Sequence, residues 1–157
     1  MLLQTGTFES TLDDKGRVVI PAPLRERYNG ELLIMQGKEL CVWVMTPAGF
    51  EHFIETFEKE SVENELSAKE IDAFEYQHIS TKCSVDMDPK TGRIPIQAIL
   101  RNYASLTKDC LVLSIKGRLE IWNAKEYKSF MEEVRQINKI THEKMHGKVN
   151  FFLEEKA

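Results

Sequence analysis

Two short segments of the chain carry the same chemical groups at nearly the same spacing. Residues 13–17 read Asp-Asp-Lys-Gly-Arg, and residues 88–93 read Asp-Pro-Lys-Thr-Gly-Arg. Arginine can bond a phosphate or a guanine edge through two parallel hydrogen bonds, and lysine supplies a movable positive charge. Glycine lets the backbone approach a ligand closely. The cations Lys15, Arg17, Lys90 and Arg93 are therefore our candidates for contact with phosphates or base edges.

Other residues in the two segments are candidates for supporting roles. Gly16 and Gly92 can take the positive φ of a tight turn, and Asp13 and Asp88 can position the arginines. Arg25 and Arg101 follow at matching distances and are possible supports of the site, or equally partners of the two aspartates. One such segment would be read as a turn only, but the return of the arginine in a second copy favours a function.

The two segments belong to a longer internal repeat. Five residues of the first copy recur in the second at a constant offset of 76: Gly16, Arg17, Ile20, Leu24 and Arg25 correspond to Gly92, Arg93, Ile96, Leu100 and Arg101. Residues 40–43 match 119–122 at an offset of 79. The second loop is one residue longer before its glycine, so the extra residue must be absorbed among Pro89, Lys90 and Thr91. Arg93 should then be placed like Arg17, whereas Asp88 is not expected to reach Arg93 as Asp13 reaches Arg17. A repeat of this length predicts two copies of one structural unit.

Each copy predicts strands around a short helix. Residues 7–12 alternate as a strand does, and the turn at 13–16 leads into a β-branched strand at 17–20, which together predict a hairpin. A short helix at 23–28 and a second hairpin of strands 31–36 and 40–45 follow. The second copy has strands at about 82–87, 93–96, 110–115 and 119–122. With the helix that follows each copy, the chain is α+β with two ββαββα repeats.

Three longer helices are predicted from capping residues and apolar spacing. Thr46-Pro47 begins the first, whose inward face is Phe50, Phe53, Ile54 and Phe57. Ser67 and Glu70 form a capping box for the second, with Ile71, Phe74 and either His78 or Ile79 inward. Asn123 and Glu126 begin the third. The charged stretch 59–67 is the candidate linker, and 141–157 shows no clear period.

Composition narrows the class of protein. The chain has 157 residues and a formal charge of −4, which suits one compact unit and argues against a protein that coats nucleic acid over its whole surface. A local basic patch remains compatible with that charge. The sequence predicts no membrane span and no signal peptide, so we expect a cytoplasmic protein. Cys41, Cys83 and Cys110 form no CxxC pair and are expected to be packing residues.

The doubled motif resembles the MraZ family of bacterial transcriptional regulators, which belongs to the AbrB-like swapped-hairpin barrels. The similarity covers residues 1 to about 140 and rests on two copies of the pattern D-x-K-G-R-x-x-I-P-x-x-x-R, each closed by a tryptophan and a helix. The second copy departs from the pattern by one extra residue before Gly92 and by Gln97 in place of the proline. It implies an intrachain pseudo-twofold β-barrel with surrounding helices. The expected divisions are 7–50 for the first AbrB-like repeat, 51–79 for linking helices, 80–126 for the second repeat, and 127–157 for a C-terminal helix and tail.

The resemblance also implies a function. Family members are expected to assemble into a ring-shaped homo-oligomer and to bind double-stranded DNA at short repeats upstream of the division and cell-wall gene cluster. The DxxxR signature carries over to Asp13 and Arg17 directly, and to Arg93 across the longer loop. We therefore expect a nucleoid-associated DNA-binding regulator without catalytic activity, cofactor or bound metal.

Two other classes of protein are compatible with parts of the sequence. An AbrB-like antitoxin or another protein-interaction module would use its helices to cover a partner. Residues 142–146 also spell the zinc-protease motif H-E-x-x-H, which places two histidines one helical turn apart. Only eleven residues follow His146, and they include no third histidine. A solvated helix end is the preferred interpretation of that motif.

Overall fold

The computed structural model describes residues 5–145 as a mixed α+β fold, as predicted. The strands are β1 (Gly6–Thr11), β2 (Arg17–Val19), β3 (Glu31–Gln36), β4 (Val42–Met45), β5 (Cys83–Asp86), β6 (Arg93–Pro95), β7 (Asp109–Ile115) and β8 (Arg118–Asn123). The α-helices are α1 (Pro47–Glu63), α2 (Ala68–Gln77), α3 (Ala98–Tyr103) and α4 (Ala124–Lys144). Short 3-10 helices lie at Ala22–Leu24 and Ile79–Thr81.

The strands form two antiparallel sheets in which the two repeats pair with each other. The larger sheet has the order β1-β7-β8-β4-β3-β5, and the smaller one consists of β2 and β6 alone. The two halves of the larger sheet are equivalent by the sequence repeat. The pairing of β1 with β7 in one half corresponds to the pairing of β5 with β3 in the other. The sheets therefore carry the internal symmetry that the sequence repeat predicts.

The larger sheet has open ends at β1 and β5, so within residues 5–145 it does not close into the expected barrel. The predicted hairpin of 7–12 with 17–20 is also wrong. Strand β1 pairs with β7 over six residues, whereas its contact with β2 is reduced to one bridge between Leu12 and Val18. Strand β2 has only three residues, and all three pair with β6.

Two boundaries differ from the sequence-based prediction. The helix predicted at 23–28 is replaced by a 3-10 turn at Ala22–Leu24. After this turn, Tyr28 N donates to Leu24 O at 3.0 Å. The predicted linker at 59–67 is mostly helix, because α1 continues to Glu63 and ends where Glu65 takes a φ of 52°. The caps at Thr46 and Ser67 are confirmed, and Ser67 and Glu70 form the reciprocal capping box.

The core is built from equivalent positions of the two repeats. Val18, Ile20 and Leu24 are fully buried, and so, to within 1% exposure, are Ile94, Ile96 and Leu100. The predicted inward faces of α1 and α2 also pack, since Phe53 and Phe57 both stack on Phe74. Cys41 and Cys110 are buried and Cys83 is half-buried, which agrees with packing roles.

His78 is a packed histidine. Its ring stacks on Trp43 with centroids 4.7 Å apart, and its Nδ1 lies 2.9 Å from the carbonyl oxygen of Gln36. Burial lowers the pKa of His78 below its ordinary value. These contacts give the residue a structural role where α2 meets β3 and β4.

The chain divides into two compact units between Ala124 and Lys125. The first unit contains both sheets and helices α1–α3, and the second contains α4. None of the helices in residues 5–145 is both long enough and apolar enough to span a bilayer.

Candidate functional site

The two loops that carry the candidate cations meet at the β2–β6 ladder. Ile20 N donates to Gly92 O at 2.7 Å, and Ile96 N donates to Gly16 O at 2.9 Å, so each loop is bonded to the strand end of the other repeat. Lys15 and Lys90 are exposed at the tips. Because β2 and β6 are antiparallel, the two loops lie at opposite ends of this three-residue ladder, with Arg17 and Arg93 on the same face of it.

The first loop is organised by Asp13. One of its carboxylate oxygens accepts hydrogen bonds from the backbone N–H groups of Lys15 at 3.0 Å and Arg17 at 2.9 Å. The backbone N–H of Asp13 in turn donates to Arg17 O at 2.8 Å, and Gly16 completes the turn with a φ of 77°. An aspartate bonded to the backbone two residues on is an Asx-turn, which explains why this short sequence folds locally into a fixed loop.

The second loop reaches a similar shape through a different set of bonds. Asp88 accepts from Lys90 N at 2.9 Å and from Thr91 N at 3.4 Å, and the Thr91 hydroxyl accepts from Arg93 N at 3.3 Å. Thr91 therefore accepts the hydrogen bond of the Arg93 amide, whereas in the first loop Asp13 accepts that of the equivalent Arg17 amide. Gly92 has a φ of 74°, close to that of Gly16, so the extra residue is accommodated before the glycine. The role of Thr91 is not visible in the repeat alignment, because the residue has no counterpart in the first copy.

Both arginines lie beside the carboxylate of Asp13. Arg17 Nε donates to Asp13 Oδ2 at 2.9 Å, and Arg93 Nε lies 3.4 Å from the same oxygen at ion-pair distance, without hydrogen-bond geometry. Asp13 and Asp88 were predicted to position the arginines, although the longer second loop was expected to keep Asp88 from reaching Arg93 as Asp13 reaches Arg17. In the structure Asp13 faces both arginines, and Asp88 bonds only to its own loop among the described residues.

Hydrogen bonds keep both aspartates ionised. The Arg17 backbone amide is the largest cause that lowers the pKa of Asp13, and the Lys90 backbone amide does the same for the pKa of Asp88. The tips therefore combine four cations with ionised carboxylates of Asp13 and Asp88. Of these carboxylates, Asp13 lies beside both arginines, while the two lysines are exposed to solvent.

Arg25 and Arg101 support the loops from behind. Arg25 Nε donates to Ile20 O at 2.7 Å, and Arg101 Nη1 donates to Ile96 O at 2.5 Å, so they bond backbone carbonyls instead of the aspartates. Each guanidinium also fills the space beside the glycine of the opposite repeat: Arg101 lies against Gly16, and Arg25 lies against Gly92. The sequence alone did not show this exchange between repeats.

We expect Gly16→Ala to destabilise the protein and to disturb the paired loops. A φ of 77° costs an L-residue roughly 1–2 kcal/mol, and the added Cβ would also collide with the Arg101 guanidinium. Gly30→Ala is the matched control, because Gly30 has a φ of 63° but no atom within 4 Å of the new Cβ. Thermal unfolding should show a larger fall in melting temperature for Gly16→Ala than for Gly30→Ala. Equal losses would mean that Arg101 moves aside without cost.

The histidines of the H-E-x-x-H motif are only partly described. His142 lies near the end of α4, whereas His146 is outside the described residues. Within residues 5–145 no group of three or more His, Cys, Asp or Glu side chains is placed to hold a metal ion. The described residues therefore supply no geometry for a metal centre.

Comparisons with known proteins agree with the doubled motif. A family model described as "MraZ protein, putative antitoxin-like" matches residues 3–71 and 80–149. A protein of Saccharopolyspora erythraea named transcriptional regulator MraZ is 36% identical over 129 residues, which cover 82% of this chain and 86% of the relative. Proteins of the same name from Frankia alni (36% identity, 81% and 85% coverage) and Symbiobacterium thermophilum (32%, 84% and 92%) are also similar.

Proposed function

Because the chain belongs to the MraZ family, whose relatives are named transcriptional regulators, we propose that it controls transcription by binding double-stranded DNA through its paired loops. Lys15, Arg17, Lys90 and Arg93 are the proposed contact residues. Asp13, Asp88, Gly16 and Gly92 shape the loops, with Arg25 and Arg101 as supports. The protein would act at the nucleoid, without a catalytic step.

The observation that carries this proposal is the placement of both arginines at one carboxylate. Arg17 and Arg93 come from different repeats, yet each has its Nε within 3.4 Å of Asp13 Oδ2. Their side chains are 38% and 35% exposed, so the guanidinium groups are held in position and still reach solvent. Held arginines suit the reading of base edges, while the exposed lysines suit phosphate contact.

Assembly would make these contacts strong enough for a regulator. One chain offers a single pair of loops, whereas a ring-shaped homo-oligomer would present several pairs to short DNA repeats, as the family resemblance implies. Linked weak contacts gain affinity because the later ones form at high effective concentration. The net charge of −4 is compatible with this, since the acidic residues of α1 and α2 lie outside the loops.

We assign these roles to separate parts of the chain. The repeats at 7–50 and 80–126 would form the DNA-contacting part, in the manner of a swapped-hairpin unit. The helices at 51–79 and the C-terminal segment 127–157 would supply contacts between subunits. The proposed targets are repeats upstream of the division and cell-wall gene cluster.

The full chain is expected to shift DNA from its own upstream region in a gel, in preference to a random duplex of equal length. Binding should weaken as salt rises, because each phosphate contact releases counterions. The same titration with a duplex whose short repeats are scrambled is the control. Equal affinity for all three duplexes would contradict sequence-specific regulation.

A further inference from the structure

Within residues 5–145, two exposed apolar surfaces lie outside the loops that are proposed to bind DNA. One is a groove of about 470 Å³ between α1 and α2, lined by Ile54, Val62, Ile71 and Ile79, with Glu58 and Glu75 at its margin. Val62 in this groove is 79% exposed. The other is the last part of α4, where Ile137 and Ile140 are 66% and 56% exposed. Exposed apolar patches of this kind commonly mark interaction sites.

The α4 surface has the pattern of a helix that docks into a groove. Ile140 follows Ile137 by three residues, and Lys144 follows Ile140 by four, so these three side chains project from one face. A short row of apolar anchors at helical spacing is the feature that groove-binding helices present.

The charges of the two surfaces are opposite. Helices α1 and α2 contain eight acidic residues and two lysines, and two of the acids, Glu58 and Glu75, border the groove. Residues 135–145 contain Arg135, Lys139 and Lys144 but only one acid, Glu143. Lys144 lies on the same face as the apolar anchors, where it would meet the acidic margin.

We propose that the end of α4 from one copy of the chain docks into the α1–α2 groove of a second copy. Groove and helix are different surfaces of the same chain, so the contact is heterologous and repeats from copy to copy until it closes. This inference rests on the oligomer in the proposed function and names the surfaces that build it. The described residues of each copy would then supply both halves of the interface.

Ile140→Asp should break the assembly of the full-length protein. Placing a carboxylate in the groove removes an apolar anchor and adds repulsion from Glu58 and Glu75, so we expect the subunit dissociation constant to rise by at least about tenfold. Asn138→Asp is the matched control, since it adds the same charge two residues away on another face of α4. Sedimentation over a dilution series measures both variants. An Ile140→Asp variant whose oligomer size and subunit dissociation constant are unchanged would overturn the proposal. A wild-type protein that is already a monomer, together with an Ile140→Asp variant that only unfolds at a lower temperature, would overturn it too.

A cross-link identifies the two surfaces directly. We mix one chain carrying Val62→Cys with a differently tagged chain carrying Ile140→Cys, and oxidise the mixture. Both chains also carry Cys83→Ser, because Cys83 is half-buried whereas Cys41 and Cys110 are buried. A disulfide between the two tags is expected, and it should be missing with chains that lack the Val62→Cys and Ile140→Cys substitutions. Oligomers without the cross-link would overturn the proposal. Failure of DNA binding by wild-type oligomers would instead contradict the proposed function and leave the interface intact.

Discussion

Arg17→Ala and Arg93→Ala are each expected to weaken binding to the protein's own upstream DNA by about 1–3 kcal/mol per contacted site. Arg17 Nε is hydrogen-bonded to Asp13 Oδ2 and Arg93 Nε lies at ion-pair distance from the same oxygen, so each side chain has less freedom to lose when it bonds a base edge. Removing either arginine therefore removes a preorganised contact. In an oligomer the loss repeats at every bound subunit, so the total effect exceeds that of one site.

Two further variants separate base reading from charge. Arg17→Lys keeps the positive charge but loses the planar fork, so it should reduce the preference for the upstream DNA more than the affinity for random duplex. Lys38→Ala removes an exposed cation in the β3–β4 turn, away from the loops, and should leave the preference unchanged. Fluorescence anisotropy with both duplexes measures these differences. If Arg93→Ala keeps full affinity, only the first loop contacts DNA.

The parts of the fold that the sequence predicted are those that local pattern controls. The caps at Thr46 and Ser67 are formed by residues three apart, and the buried residues Val18 and Ile94 occupy matching places in the repeat. Capping and alternation depend on neighbouring residues, so one sequence suffices to find them. The repeat then predicted that both copies share one core.

Strand partners could not be predicted in the same way. Alternation in residues 7–12 shows which side chains are buried, but it is satisfied equally by pairing with β2 or with β7. The short turn at 13–16 favoured the hairpin, whereas the structure gives β1 to β7 and β2 to β6. The choice is made by the second repeat, whose strands are distant in the sequence.

The candidate site shows the same limit at the level of single residues. The sequence identified the loops and their cations, and from the longer second loop it predicted that Asp88 would not reach Arg93 as Asp13 reaches Arg17. It did not predict which groups take the place of Asp88. Because of the added residue, the arginine amide of the second loop donates to Thr91, whereas that of the first loop donates to Asp13. Arg17 and Arg93 share one face of the short β2–β6 ladder, so Arg93 comes within ion-pair distance of Asp13 instead. Contacts between repeats of this kind depend on the full fold.

Asp13→Ala is expected to weaken DNA binding more than Asp88→Ala. The two substitutions are well matched, because each removes one negative charge from a loop tip and one carboxylate that accepts two backbone N–H groups. Loss of a negative charge near phosphates favours binding by a similar amount in both variants. Any difference between them therefore reports on what else the carboxylates contact.

The difference lies in the arginines. Asp13 Oδ2 faces Arg17 Nε and Arg93 Nε, so Asp13→Ala releases both guanidinium groups and leaves two positive charges next to each other without a counter-ion. Asp88→Ala leaves that arrangement in place. The hydrogen bond from the Arg17 amide also keeps the pKa of Asp13 below its ordinary value, so the carboxylate is ionised throughout the neutral range in which DNA binding is measured.

We expect Asp13→Ala to lower the affinity for the upstream duplex by on the order of tenfold, and Asp88→Ala to change it by only a fewfold. Circular dichroism and sedimentation must first show that both variants remain folded and assembled, so that loop shape is compared in the same protein. Asp13→Asn adds a third measurement, since it keeps an acceptor for the Lys15 and Arg17 amides and removes the charge that faces the arginines. If Asp13→Asn behaves like Asp13→Ala, the ionic contact with the arginines is responsible. If Asp88→Ala is as damaging as Asp13→Ala, the second loop positions its arginine on DNA by a contact of its own, and the shared role of Asp13 is wrong.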